Sequence, residues 1–188
     1  DRYWKGSVNR ISPEAPVPII DINLCEDKPG GAANVAKNLS DFGMEVTLVG
    51  IIGKDKTADD FNKNISSLDI KFLPIIDPNI RTTLKLRVID RNKQLIRIDH
   101  EDINASSKVD DLSKCIMSCI NDFDGIIFSD YDKGVVKPII KNTLNYCKEN
   151  NIKTFIDPKG ASFDYYKNSF LLKPNLKEFE VIMGKSDN

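Results

Sequence analysis

From residue 125 onward the sequence repeats one unit: an apolar run, a polar loop, then a helix-spaced segment. Gly125-Ile126-Ile127-Phe128 is short and continuously apolar. A strand that does not alternate polar with apolar residues is buried on both faces, as parallel strands covered by helices are. The loop Asp130-Tyr131-Asp132-Lys133-Gly134 follows, and residues 138–149 carry Ile139, Ile140, Leu144 and Cys147 at helical spacing. Residues 153–156 form a second apolar run ending at Asp157-Pro158-Lys159-Gly160. Phe170-Leu171-Leu172 is a third, ending at Lys173-Pro174-Asn175, and a helix is predicted over Leu176–Met183. Strands alternating with helices assemble into a parallel sheet.

The upstream half adds one more such unit. Residues 32–42 are amphipathic, with Val35, Ala36 and Leu39 on one face and Gly43 placed as a C-terminal cap. An apolar strand is predicted over residues 46–52 and a helix over 57–68. Two segments break the rhythm. Residues 17–22 are strand-like but flanked by proline. Residues 82–99 alternate, with Leu84, Leu86 and Val88 to one side and Thr83, Lys85 and Arg87 to the other, then turn at 90–93 and return. These segments, about residues 10–24 and 80–100, are expected to form a small antiparallel lid. The fold class is therefore α/β: a doubly wound, mainly parallel sheet flanked by helices, with an antiparallel β lid. Residues 1–188 are expected to be part of one domain interrupted at both ends. Asp1 is not Met, and the stretch from Met183 to Asn188 looks like a helix end running into a linker.

Composition serves mainly to exclude. With 40% hydrophobic and 29% charged residues the chain can build a core. A net charge of −1 with scattered Lys and Arg leaves no basic stripe for nucleic acid. No apolar run approaches the ~20 residues that cross a bilayer, and no signal peptide is visible. Cys25, Cys115, Cys119 and Cys147 form no Cys-x-x-Cys pair, and a single histidine, His100, offers no metal cluster. Cys115 and Cys119, four apart on a predicted helix, fit core or boundary positions. Reduced thiols suit a cytoplasmic setting.

Ligands of open α/β sheets bind outside the carboxyl ends of the strands. Asp130, then Asp157 with Lys159, then Asn175 with Glu178 fall there. One such residue is commonly a helix cap; three clusters after three successive strands favour a site. Gly30-Gly31-Ala32-Ala33-Asn34 opens a helix and lets a ligand approach the backbone. A tight turn before a small-residue helix fits it equally well. Lys85 and Arg87, with Arg97 on the returning strand, suit an anionic group or a solvated outer face. Trp4 and Tyr3 could stack on a sugar, though a plug at the edge of the core suits them better.

Taken together, certain motifs resemble those of a known family. They are Asp1-Arg2-Tyr3-Trp4, the run Arg10-Ile11-Ser12-Pro13-Glu14-Ala15-Pro16-Val17-Pro18, and Pro29-Gly30-Gly31-Ala32-Ala33-Asn34-Val35-Ala36. Thr83-x-Lys85-x-Arg87, Ser129-Asp130-Tyr131-x-Lys133-Gly134, Asp157-Pro158-Lys159-Gly160 and Pro174-Asn175-x-x-Glu178 follow. Their order is similar to that in heptose 7-phosphate kinases of the ribokinase-like (PfkB) group. The Gly-Gly-x-x-Asn and Asn-x-x-Glu motifs are shared across that group; the run from Arg10 to Pro18 is far more specific to the heptose branch.

The resemblance implies that Asp1, Gly30, Gly31 and Asn34 bind sugar hydroxyls. It puts Lys85 and Arg87 near the substrate phosphate and Asp130 on the substrate side. Lys159, Asn175 and Glu178 belong to the nucleotide side, with Glu178 positioning Mg2+, partly through water. The implied reaction moves a phosphoryl group from ATP to the anomeric hydroxyl of D-glycero-D-manno-heptose 7-phosphate, on the route to ADP-heptose and lipopolysaccharide core. The lid would pair two subunits into a homodimer. The base in this family is the Asp of a Gly-Ala-Gly-Asp motif, absent from these residues, so this portion is expected to be inactive alone. A nucleotidyltransferase domain in the parent protein is also compatible. A sheet without its outer strands is expected to be aggregation-prone. The alternatives are a ribokinase-type kinase for another sugar phosphate and a non-catalytic sugar-phosphate binding module.

Overall fold

The computed structural model describes residues 1–102, 106–160 and 162–184. The linker expected at the C-terminus lies outside them. In chain order the strands and helices are β1 (Arg2–Ile11), β2 (Pro18–Asp27), α1 (Ala32–Asp41), β3 (Thr47–Ile52), α2 (Lys56–Ser66), β4 (Lys71–Ile76), β5 (Leu84–Asp90), β6 (Lys93–His100), α3 (Val109–Cys119), β7 (Gly125–Ser129), α4 (Lys137–Glu149), β8 (Lys153–Asp157), β9 (Leu171–Leu172) and α5 (Leu176–Met183). They belong to two compact units, the first built mostly from residues 1–102 and the second mostly from the residues that follow.

The first unit carries a four-stranded sheet in the order β2-β1-β5-β6. The two segments expected as a lid are β2 and the β5–β6 hairpin. Between them runs β1, unassigned in the sequence reading, antiparallel to β2 but parallel to β5. The sheet is therefore mixed rather than wholly antiparallel. Its two faces differ in chemistry. Cross-strand partners share a face, which puts Tyr3, Glu26, Arg87 and Arg97 on one side and Trp4, Cys25, Val88 and Ile96 on the other.

Below the sheet in sequence, α1 and α2 bury a small cluster of Ala33, Ala36, Leu48, Ile65 and Ile70. Phe61 meets Phe72 edge-on beside it, ring centroids 5.3 Å apart. α2 starts where Asp55 accepts the Ala58 N–H at 2.8 Å, the N-cap contact that satisfies an orphan donor. The second Asp55 oxygen accepts the Thr82 N–H at 2.8 Å, and the Thr82 hydroxyl accepts the Gly53 N–H at 2.9 Å. One carboxylate thus fixes both the start of α2 and the entry to β5. β3 and β4 pair with each other.

In the second unit β7, β8 and β9 form a parallel sheet in that order. α4 lays Ile140 and Leu144 onto Phe128, Ile156 and Tyr166. This is the β-loop-α-β rhythm expected from residue 125 onward, with bounds shifted by a residue at most. α5 begins with a capping box: the Asn175 side chain accepts the Glu178 N–H at 2.9 Å, and Glu178 accepts the Asn175 N–H at 3.0 Å. Cys147 is buried and Cys25 exposed; none of the four thiols is in a disulfide. No helix among the described residues is long and apolar enough to cross a membrane.

Candidate active site

Two groups of expected site residues occur, one in each unit. In the first, the parallel register of β1 and β5 sets Tyr3 beside Arg87. The Arg87 guanidinium reaches the Asp1 carboxylate at 2.9 Å and lies 5.3 Å from the Tyr3 ring centroid. The other Asp1 oxygen rests on Gly30. A Cβ at position 30 would lie 2.8 Å from it, closer than van der Waals contact allows. Gly31 then turns with φ 53° and ψ −131°, a conformation open to glycine, and α1 begins. Asn34 is exposed on the first turn. Asp1, Gly30 and Arg87 are thus in direct contact, with Gly31 and Asn34 on the adjoining turn.

Lys85, two residues before Arg87 on the same face, is held by Asp99 at 3.0 Å and Glu101 at 3.3 Å. Arg97 also binds Asp99, at 2.8 Å. The hydrogen bond from Lys85, with help from Arg97, holds the Asp99 carboxyl below its ordinary value. Tyr3, weighed in the sequence for sugar stacking and favoured as a plug at the core edge, supplies the ring beside Arg87. Lys28 went unread, and its ammonium lies 5.5 Å from the same ring. The Lys28 N–H donates to the Asp1 carbonyl at 2.8 Å. The only hint was position, one residue before Pro29-Gly30-Gly31. Trp4, on the opposite face, lines a cleft of about 430 Å3 with Arg2, Asp27, Asp60 and Lys63. None of the expected site residues lines that cleft.

In the second unit the three strand-end clusters are linked by side chains. Asp130 is buried, with one oxygen accepting the Asp132 N–H at 2.8 Å and the other the Tyr166 hydroxyl at 2.7 Å. Tyr166 accepts in turn from the Lys159 N–H at 3.3 Å. Burial, and then the Asp130 carboxylate, raise the Tyr166 phenol well above its ordinary value. The Lys159 ammonium meets Glu178 at 2.8 Å. That hydrogen bond lowers the Glu178 carboxyl and raises Lys159. Tyr166 was not read as a site residue, because nothing in Asp164-Tyr165-Tyr166 separates a core aromatic from a positioning one. No group of three or more His, Cys, Asp or Glu able to hold a metal occurs among the described residues.

A sequence profile of the pfkB family of carbohydrate kinases matches residues 8–188. The chain belongs to this family. Among curated relatives, the bifunctional protein HldE of Marinomonas sp. (strain MWYL1) is 41% identical over 186 residues, which is 98% of this chain and 39% of that protein. HldE of Escherichia coli O1:K1 / APEC is 39% identical over 185 residues, again 98% of this chain and 39% of that protein. The chain thus spans about two-fifths of these relatives. Among solved structures, phosphofructokinase-2 from Escherichia coli in complex with fructose-6-phosphate superposes with a TM-score of 0.75 at 17% identity, covering 99% of this chain and 62% of that one. A ribokinase from Thermotoga maritima gives 0.61 at 18% identity, covering 95% and 57%. At such identities the likeness shows the fold, and it is the ribokinase-like α/β fold expected for a pfkB chain.

Proposed function

We propose that this pfkB chain is the sugar-binding part of a kinase domain whose substrate is D-glycero-D-manno-heptose 7-phosphate. ATP would donate the phosphoryl group to the anomeric hydroxyl, giving the 1,7-bisphosphate. The observation that carries this reading is the contact of Asp1, Gly30 and Arg87. An ionised carboxylate held by a guanidinium, against a backbone with no side chain in the way, is an acceptor for sugar hydroxyls. Support for the heptose comes from the run from Arg10 to Pro18 and from the likeness to proteins named bifunctional protein HldE. The word bifunctional in that name also supports a second activity in the complete protein, for which the nucleotidyltransferase domain raised above is the candidate.

Asn175 and Glu178 fit Mg2+. The metal prefers oxygen, keeps several waters and takes one or two carboxylates together with substrate phosphates, so it needs no all-protein cage. When bound it would neutralise charge on the phosphates. Lys159, already paired with Glu178, is the cation this chain offers to the same phosphates. Asp130 acts from inside, shaping the loop after β7 through Asp132 and Tyr166. The base that takes the proton of the anomeric hydroxyl lies outside these residues. The sheet β2-β1-β5-β6 serves as the lid and pairs with a second copy, and the protein works in the cytoplasm.

The test is an assay of the complete protein encoded by the reading frame around these residues, with ATP, Mg2+ and the heptose phosphate. Phosphorus NMR should show a 1,7-bisphosphate, with fructose 6-phosphate turned over at least tenfold more slowly. Equal or faster turnover of fructose 6-phosphate would assign the chain to another sugar phosphate. No ATP consumption with any sugar phosphate would favour a binding module.

A further inference from the structure

We propose that Lys28 is the cation that recognises the phosphate of the sugar held at Asp1 and Gly30; this rests on the sugar-phosphate reading above. Lys28 directly precedes the Pro29-Gly30-Gly31 turn, and its backbone N–H is bonded to the Asp1 carbonyl at 2.8 Å. Its ammonium and the Arg87 guanidinium both lie within 5.5 Å of the Tyr3 ring centroid. Lys28 therefore stands beside the residues proposed to hold the sugar.

Charge pairing on this face singles it out. Arg87 is engaged by Asp1 at 2.9 Å, Lys5 by Glu26 at 2.7 Å, and Arg97 by Asp99 at 2.8 Å. Lys85 stands between two carboxylates, Asp99 and Glu101. Lys85 and Arg97 against Asp99 and Glu101 cancel, as do Arg87 and Asp1. Lys5 and Lys28 against Glu26 alone leave one positive charge. Lys28 stands 3.6 Å from Glu26, beyond hydrogen-bond distance, and its side chain is 55% exposed. The excess charge is therefore at Lys28.

An incoming phosphate would have to break an ion pair to reach Lys85 or Arg87. Breaking Arg87 from Asp1 would also release the carboxylate that accepts the sugar. At Lys28 the phosphate competes only with a 3.6 Å contact to Glu26, a carboxylate already bound by Lys5 at 2.7 Å, and a flexible ammonium suits a phosphate as a point charge. The ring of Tyr3 limits where that ammonium can go, through a cation–π contact. Arg87 then holds Asp1, Lys28 meets the anion, and Lys85 organises the rim.

The experiment measures affinity of the complete protein for D-glycero-D-manno-heptose 7-phosphate and for the same heptose without phosphate. Wild type is compared with Lys28→Met, Lys28→Gln and Lys28→Arg, and with Lys63→Met as a lysine-loss control. Circular dichroism verifies folding. The two neutral variants should lose at least tenfold in affinity for the phosphorylated sugar and stay within twofold for the free heptose. Lys28→Arg should recover most of the loss. Unchanged affinity for the phosphorylated sugar, or an equal loss for both sugars, overturns the assignment of Lys28. A folded wild-type protein that binds neither sugar overturns the underlying reading, and Lys28 with it.

Discussion

Asp1 and Gly30 depend on each other: the carboxylate can rest where it does only because position 30 has no Cβ. Gly30→Ala should displace Asp1 and weaken sugar-phosphate binding at least tenfold, about 1.4 kcal/mol, with the melting temperature little changed; titration calorimetry and a thermal melt check the two halves. Asp55 is a stability residue. Burial disfavours its charge, but the N–H groups of Thr82 and Ala58 outweigh that and keep its carboxyl below the ordinary 3.8. The stabilisation is then complete above the unfolded value and is lost as pH falls through the lower folded one. Asp55→Ala should cost about 1–2 kcal/mol near neutral pH and show less loss of stability than wild type between pH 5 and pH 3, read by denaturant melts. Tyr166→Phe leaves a buried Asp130 oxygen without its donor and should cost about 1–3 kcal/mol, while the surface substitution Tyr146→Phe costs less. Lys85, Arg87 and Gly30 were legible because charge and glycine stand out in a sequence. Lys28 and Tyr166 were not: what distinguishes them is a carboxylate, Glu26, already held by a nearer lysine in one case and a hydroxyl reaching two loops in the other, and both arise only on folding.

Elements with one uninterrupted period were legible to within one or two residues. α1, α4, α5, β7 and β8 each carry a helical or a continuously apolar pattern, although Ile127 of β7, expected to be buried on both faces of its strand, is exposed, and α5 buries no residue. β1 was hidden because both of its faces carry charge. Arg2 pairs with Asp27 and Asp60 on one side, and Lys5 with Glu26 on the other, so neither face looks like a core. β4 is six residues with a proline, Pro74, inside it, which argues against a strand. The parallel β1–β5 pairing was illegible for a further reason: the two strands are some eighty residues apart, and no local signal states a partner. α4 carries the second unit's packing, with Ile140 and Leu144 fully buried. Leu144→Ala should therefore cost about 2–5 kcal/mol in a denaturant melt, and a loss under 1 kcal/mol would mean that α4 is less tightly packed than its burial implies.

For the molecule as a whole, family membership fixes what kind of chemistry to look for, a carbohydrate kinase, and the charged sheet face is what the proposal of an anionic sugar rests on. A net charge of −1 over these residues gives no steering toward anions, so the proposed recognition is local, at the start of β1 and the turn into α1. Binding should accordingly weaken with added salt through the few charges near Lys28 rather than through a broad field. Asp1, Gly30 and Arg87 frame the proposed sugar-phosphate site. Its most direct test is a calorimetric titration with D-glycero-D-manno-heptose 7-phosphate, with fructose 6-phosphate and ribose as controls. The heptose phosphate should bind selectively, and its affinity should fall at least tenfold when Arg87 becomes Ala. Equal affinity for all three sugars, or no binding by folded protein, would contradict it.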